Sequence, residues 1–286
     1  MPAHVSPAFA LAALVLAFLS LVAFLCLTLF APRLWRNRPG NLPSCPLDRD
    51  GLLILGAAML AMVLLSNALA LLATRIGWLE DLSTKVAFHM GCFLVVYPLL
   101  LVLIHHLIGR DLAGLPHASR GWRDAFGLSQ THALLLAGAS LAALMAVIAP
   151  ASLVGYGWQR ALTALDIPIT PQPVIEWFLK LEDPLLLSVL VLFAVIGAPV
   201  VEEILFRGIL HPFLRAHFGF AEALLLSSAV FAGFHLHAPS FAPLFVLAVA
   251  LTLLYEWGGN LAACVAMHAG FNAIAVAGLL ARRFSQ

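Results

Sequence analysis

Gly197-Ala198-Pro199-Val200-Val201-Glu202-Glu203-Ile204-Leu205-Phe206-Arg207-Gly208 is the stretch on which the reading of this chain turns. Two adjacent carboxylates and a guanidinium stand at the end of an apolar run that begins at Leu185, on a helix otherwise fit for lipid. An Asp, Lys or Arg near a bilayer centre costs roughly 2.5 to 3.5 kcal/mol on insertion scales, and Glu is comparable, so an intramembrane acid pair marks a functional position by default. Helix geometry already separates the two acids. At about 100° per residue, Arg207 lies about 40° around the helix from Glu203 and about 140° from Glu202. The natural ion pair is Glu203 with Arg207, and Glu202 is left to meet other helices. A purely structural salt bridge would explain Glu203 and Arg207 but would leave Glu202 without a purpose.

The composition fits that setting. Of 286 residues 63% are hydrophobic and 10% charged, and the mean hydropathy is +1.02. Such a balance excludes an ordinary soluble domain. A net charge of +1 carries no message about nucleic acid or acidic partners. At about 20 apolar residues per crossing, the chain reads as an all-α, polytopic membrane protein with about eight transmembrane helices enclosing an intramembrane cavity. Cys26, Cys45, Cys92 and Cys264 show no paired spacing and read as small hydrophobes, not as a disulfide or zinc framework. Thirteen of the fifteen basic residues are arginine, and Ala and Leu dominate the apolar set. That bias points to a GC-rich genome and so to a bacterial inner (cell) membrane.

Outward from the acid pair, the chain divides into residues 1–183, four spans with interfacial connections, and residues 184–286, four motif-bearing spans. The run from Phe9 to Ala31 has no basic segment before it and no small-residue cleavage pattern after it, so it reads as a first crossing, not a signal peptide. Spans follow at about Leu52 to Ala73, Val86 to Ile108 with a kink at Pro98, and His132 to Leu153. His105 and His106 fall at an interface and read as solvated. The connection from Gly109 to Gln130, with Arg110, Arg120, Trp122, Arg123 and Phe126, reads as a basic, aromatic segment lying on headgroups. The longest connection runs from Gly155 to Asp183. Within it Val174 to Leu181 suits an interfacial helix, serving as a surface anchor or as a gate for lateral access. Counting Arg and Lys in alternate loops favours odd-numbered loops in the cytoplasm and both termini outside, against which the pair Arg282-Arg283 argues.

Pro199 removes a helix hydrogen bond just before Glu202, and freed carbonyls need a wet or protein-buried setting, so a cavity is expected at that level. Two further polar sets interrupt apolar helices. Phe231 and His235 share a face of the sixth span, and His268 and Asn272 share a face of the eighth. His211, His217 and His237 are read as loop-side or interfacial. A carboxylate, two imidazoles and a carboxamide from three helices form one site more economically than three unrelated packing solutions. No Ser or Cys nucleophile is placed among them, which disfavours covalent catalysis. A carboxylate with an imidazole can deprotonate a water, and an imidazole with an amide can donate to an oxyanion, which implies amide hydrolysis. Glu202, His235 and His268 could alternatively serve as zinc ligands. The chain lacks the His-Glu-x-x-His helix that would favour zinc, so no cofactor is favoured.

Glu202-Glu203-x-x-x-Arg207, Phe231-x-x-x-His235 and His268-x-x-x-Asn272, in that order on separate spans, resemble the three motifs of the CAAX protease and bacteriocin-processing (CPBP, or Abi) family of intramembrane endopeptidases. The flanking Ala198-Pro199-Val200-Val201, Phe206-Arg207-Gly208 and Gly259-Asn260-Leu261 agree. The resemblance covers about Leu185 to Leu280. It implies an eight-helix fold with a conical cavity, Glu202 as general base and His235 holding the water. It further implies His268 and Asn272 as oxyanion hole, with Glu203 and Arg207 in support beside Phe231. Family members are described both as metalloendopeptidases and as metal-free glutamate enzymes, and the glutamic type is favoured here. The implied substrate is a membrane-anchored protein or peptide cut near its C-terminal anchor, or a CAAX-like tail, with the lipid bilayer as the other partner. Two alternatives use the same features. One is an ion-coupled transporter, against which no internal repeat is found; the other is a non-catalytic self-immunity protein of the same fold.

Overall fold

The computed structural model describes residues 7–112, 121–129 and 132–285. Ten helices account for its regular structure, and no strand occurs among the described residues. They are α1 (Pro7–Arg36), α2 (Arg49–Arg75), α3 (Leu82–Leu112), α4 (Trp122–Ala125), α5 (Ala133–Ala164) and α6 (Pro173–Lys180). α7 (Pro184–His217) is one continuous rod, followed by α8 (Phe220–Phe234), α9 (Ala238–Gly258) and α10 (Leu261–Phe284). Seven are long and apolar enough to cross a membrane, and α8 is a shorter apolar helix. The chain is an integral, multi-pass membrane protein.

α5 is the packing centre, with α1, α9 and α10 against it. Its inward face mixes Leu136, Leu144, Val147 and Leu162 with small residues, Ser140, Ala146, Ala151 and Gly155, and the small ones let helix backbones approach where no hydrophobic drive separates protein from lipid. Gly155 faces the ring of Pro243 on α9, and Gly270 of α10 faces Leu144. The Ser140 hydroxyl donates to the carbonyls of Leu136, on its own helix, and Ala263, on α10. Pro150 disturbs α5 from within, and the preceding N–H, of Ala149, donates to the buried Ser20 Oγ of α1 at 2.7 Å. α2 stands apart: Leu53, Leu60, Leu64, Leu65, Leu71 and Leu72 are exposed, as lipid-facing residues should be.

α7 begins at Asp183, whose carboxylate caps the N–H groups of Leu185 and Leu186, with Pro184 in the first turn. Two of its turns, Phe193–Gly197 and Ile204–Leu210, are π-helical. Each ends at a proline. Ala198 N–H reaches Phe193 O just before Pro199, and His211 N–H reaches Phe206 O just before Pro212. A proline has no N–H and crowds the carbonyl four residues back, and a widened i→i+5 turn absorbs both faults without breaking the rod. The kink expected at Pro199 thus takes the form of a π-turn.

Two connections differ from the sequence reading. α5 runs on to Ala164, so the connection expected from Gly155 is partly helix. Residues 113–120, with Arg120, and residues 130–131, with Gln130, lie outside the described residues, as does the side chain of Arg110. Its described remainder is exposed at Gly121, Arg123, Asp124, Leu128 and Ser129 but buried at its centre, Ala125 to Gly127. Phe126 is 1% exposed, Leu261 N–H donates to Phe126 O and Asn260 Nδ2 to Gly127 O. This strap is possible because Gly127, at φ +67°, passes so close to Gly259 O that no side chain would fit. Trp122 Nε1 donates to His105 Nδ1 at 2.6 Å, so His105 is exposed but partnered. α6 matches the expected surface helix, with Phe178 buried beneath. The hydrogen bond and charge of Lys180 hold the exposed Glu176 carboxyl below its usual value.

The strap bears directly on α7. A methyl group at Gly208 would sit 2.6 Å from Phe126 Cε1, and that buried ring has nowhere to go. Gly208→Ala is expected to destabilise the protein by about 1–3 kcal/mol through overpacking, read as a lower Tm in detergent. Phe126→Leu in the same background should recover part of the loss, and an unchanged Tm in the single variant would contradict the contact.

Candidate active site

Glu203 is fully buried. Its Oε1 accepts from Arg207 Nη1 at 3.0 Å and from His268 Nδ1 at 2.7 Å. Arg207, 1% exposed, donates a second time, from Nη2 to Ala248 O of α9 at 3.2 Å, and its guanidinium lies 4.4 Å over the Phe231 ring. One carboxylate therefore ties α7 to α10, and one guanidinium ties α7 to α8 and α9. In a membrane interior such groups persist only when each finds charge-assisted partners.

The i,i+4 spacing that predicted this pair continues further than expected. Glu203, Arg207, His211 and Arg215 follow each other at four-residue steps. His211 Nε2 meets Glu256 Oε1 at 2.9 Å, and Arg215 Nε reaches the same oxygen at 3.1 Å. In an α-helix each four-residue step over-rotates by about 40°. The wider π-turn at Ile204–Leu210 under-rotates the same step and keeps the stripe facing α9. The loop-side placement read for His211 is corrected: it is buried, because Glu256 and Ser227 partner both ring nitrogens.

His268 Nδ1 is occupied by Glu203, so its Nε2 is aimed by that bond. It lies 3.8 Å from Glu202 Oε2. Phe231, fully buried, forms the plate between the motifs, with ring centroids 5.1 Å from His235, 5.8 Å from His268 and 5.1 Å from Phe206. His235 Nδ1 bonds back to Phe231 O at 2.9 Å, which directs Nε2 outward. Asn272 Nδ2 donates to Ala194 O at 2.9 Å. In the i→i+5 register of the first π-turn, Ala194 O is the carbonyl that Pro199 leaves without a donor, and Asn272 supplies one from α10.

Glu202 keeps an 18% exposed side chain and lines a cavity of about 230 Å³. The opposite wall comes from α2 (Met59, Met62, Val63) and α3 (Phe93, Val96, Tyr97), with Leu205 and Phe206 of α7 and Phe234 of α8. Among the lining residues Glu202 is the one carboxylate in a largely apolar surface. The motif reading did not find the α2 and α3 walls. A signal was present: His89, Phe93 and Tyr97 recur at four-residue steps along one face of the third span. His235, His268 and Asn272 stand behind this lining, not in it.

Among the described residues no three His, Cys, Asp or Glu side chains gather closely enough to share an ion. Of the candidate zinc set, Glu202 and His268 approach each other but His235 does not complete a triad with them.

Removing the guanidinium would leave the Glu203 carboxylate buried without its cation. Arg207→Leu is expected to lose about 3–5 kcal/mol, measured by thermal unfolding in detergent. Arg207→Lys should not restore it, because one ammonium cannot bond Glu203 and Ala248 from two nitrogens while lying flat on Phe231. Wild-type stability in Arg207→Lys would contradict this account.

Comparison with curated proteins and with solved structures gave no match. Residues 184–274 match the family model described as Type II CAAX prenyl endopeptidase Rce1-like. That segment, about a third of the chain, spans α7, α8, α9 and the first half of α10 and contains every motif residue discussed above. Over this segment the chain is similar to the CAAX protease family of membrane endopeptidases.

Proposed function

We propose that this chain is an intramembrane endopeptidase that hydrolyses a peptide bond near the C-terminal anchor of a membrane-tethered or CAAX-like substrate, using a water activated by Glu202. The observation that carries this reading is the partition of two neighbouring carboxylates. Glu203 is sealed between Arg207 and His268, whereas Glu202 opens on the cavity. A carboxylate in a largely apolar cavity can take a proton from water as the water oxygen bonds to the substrate carbonyl carbon, and return it to the departing amine.

His268 and Asn272 are assigned to the oxyanion side. In this role His268 is the imidazolium, Nδ1–H on Glu203 and Nε2–H as the second donor near Glu202, and Asn272 has a second N–H beyond the one given to Ala194. His235, with Nε2 free of its Phe231 bond, is assigned to holding the water. Glu203 and Arg207 position His268 and do not touch the reacting atoms. This form of the reaction is of the glutamic type and uses no metal. The apolar wall of α2 and α3 suits an extended, apolar substrate segment arriving from the lipid.

The test is reconstitution of the purified protein in liposomes with a quenched fluorescent peptide ending in a farnesylated CAAX tail and, separately, with a single-span reporter protein. Glu202→Ala is expected to remove cleavage by at least about 10²-fold, the scale of a lost general base, while keeping the wild-type Tm. Addition of a chelator is expected to leave the wild-type rate unchanged. Normal cleavage by Glu202→Ala would overturn the assigned base, and chelator loss restored by zinc would overturn the metal-free form.

A further inference from the structure

We propose that Tyr97 of α3 is a further catalytic residue, its phenolic O–H donating a hydrogen bond to the carbonyl oxygen of the bond being cut. This rests on the reading of Glu202 as the base in the same cavity and adds the donor that faces it from the opposite wall.

The polar groups lining the cavity beside Glu202 are few: Ser66 and Asn67 on α2, and His89, Cys92 and Tyr97 on α3. Two of them are turned elsewhere. Asn67 Nδ2 bonds back to Val63 O at 2.8 Å. His89 Nδ1 bonds to Lys85 O, and its ring packs on Trp177 of α6. Cys92 is a weak donor, and Ser66 sits on α2, the helix least braced by its neighbours. Tyr97 is different. Its hydroxyl has no hydrogen-bond partner among the described residues, and it lines the same cavity as the Glu202 carboxylate.

The ring is held firmly while the hydroxyl is free. Its centroid is 5.6 Å from Phe93 on its own helix and 5.3 Å from Phe193 on α7, and Phe93 stacks on Phe193 at 4.9 Å. Phe193 opens the π-turn that leads into Pro199 and Glu202. The same turn that sets the base therefore also sets the depth of the phenol. A phenol is a donor at neutral pH, and a fixed donor outside the water phase stabilises charge that develops during reaction more than charge already present.

The chemistry balances without a cofactor. The water oxygen bonds to the carbonyl carbon as its proton passes to Glu202, and the C=O electron pair moves onto oxygen, where the Tyr97 O–H tightens its hydrogen bond without transferring its proton. On collapse the C–N bond breaks, the nitrogen takes the proton from Glu202, and a carboxylic acid and an amine leave. One water is consumed.

Tyr97→Phe removes only the oxygen and leaves the three-ring packing intact. With the farnesylated CAAX reporter in liposomes, it is expected to lower kcat by about 10²-fold, the scale of one lost oxyanion donor, with KM and Tm unchanged. Such a split identifies an interaction made in the transition state and not a structural one. If Tyr97→Phe keeps the wild-type kcat while Glu202→Ala is inactive, the assignment of Tyr97 is overturned and the assigned base stands. If Glu202→Ala is active or the wild type is inert toward the reporter, the reading of Glu202 falls and Tyr97 falls with it. A loss confined to KM overturns the oxyanion role.

Discussion

The arrangement depends on one shared oxygen. Glu203 Oε1 receives Arg207 from its own helix and His268 from α10, which ties α7 to α10, while the same Arg207 reaches α8 and α9. The bond is expensive to maintain away from water. Its constituents are therefore almost fully enclosed, with Glu203, Arg207 and Phe231 each at or below 1% exposure. Glu203 is enclosed, with one oxygen shared by Arg207 and His268 and the other buried without a hydrogen-bond partner among the described residues. The acid next to it, rotated by one residue, opens on the cavity.

The backbone of α7 is shaped to allow this. Pro199 and Pro212 would each break an ordinary helix, and a π-turn before each keeps the rod continuous. The first π-turn leaves Ala194 O to be satisfied by Asn272. The second keeps Glu203, Arg207, His211 and Arg215 on one line, where Ala248 and Glu256 of α9 receive the last three. α7 is thereby fixed along its length by polar contacts that lipid cannot replace, and the site inherits that rigidity.

Much of this was legible in the chain. Membrane character follows from composition, and the Glu203–Arg207 pair and the exclusion of Glu202 from it follow from helical angle alone. The grouping of α7, α8 and α10 follows from polar residues that have no reason to interrupt apolar spans unless they meet. What could not be read depends on contacts between residues far apart in sequence. Phe126 docks on Gly208 through a strap whose aromatic, basic composition mimics a surface segment. His211 looks like a helix-end residue until Glu256, on another helix, is placed beside it. The π-turns leave no mark in hydropathy, because they shift hydrogen-bond register without changing which residues are apolar. The walls from α2 and α3 were missed because most of their lining residues are apolar, and the His89, Phe93 and Tyr97 stripe gains meaning only when the cavity places it with Glu202.

The central claim is that two consecutive carboxylates in one helix occupy opposite environments, one enclosed against Arg207 and His268 and one open to the cavity. Dicyclohexylcarbodiimide, a membrane-soluble reagent for carboxyl groups, tests it on the unmodified protein, with the site of addition mapped by mass spectrometry of the digested chain. The account requires the adduct on Glu202 with Glu203 spared. Modification of Glu203 in preference to Glu202 would contradict it.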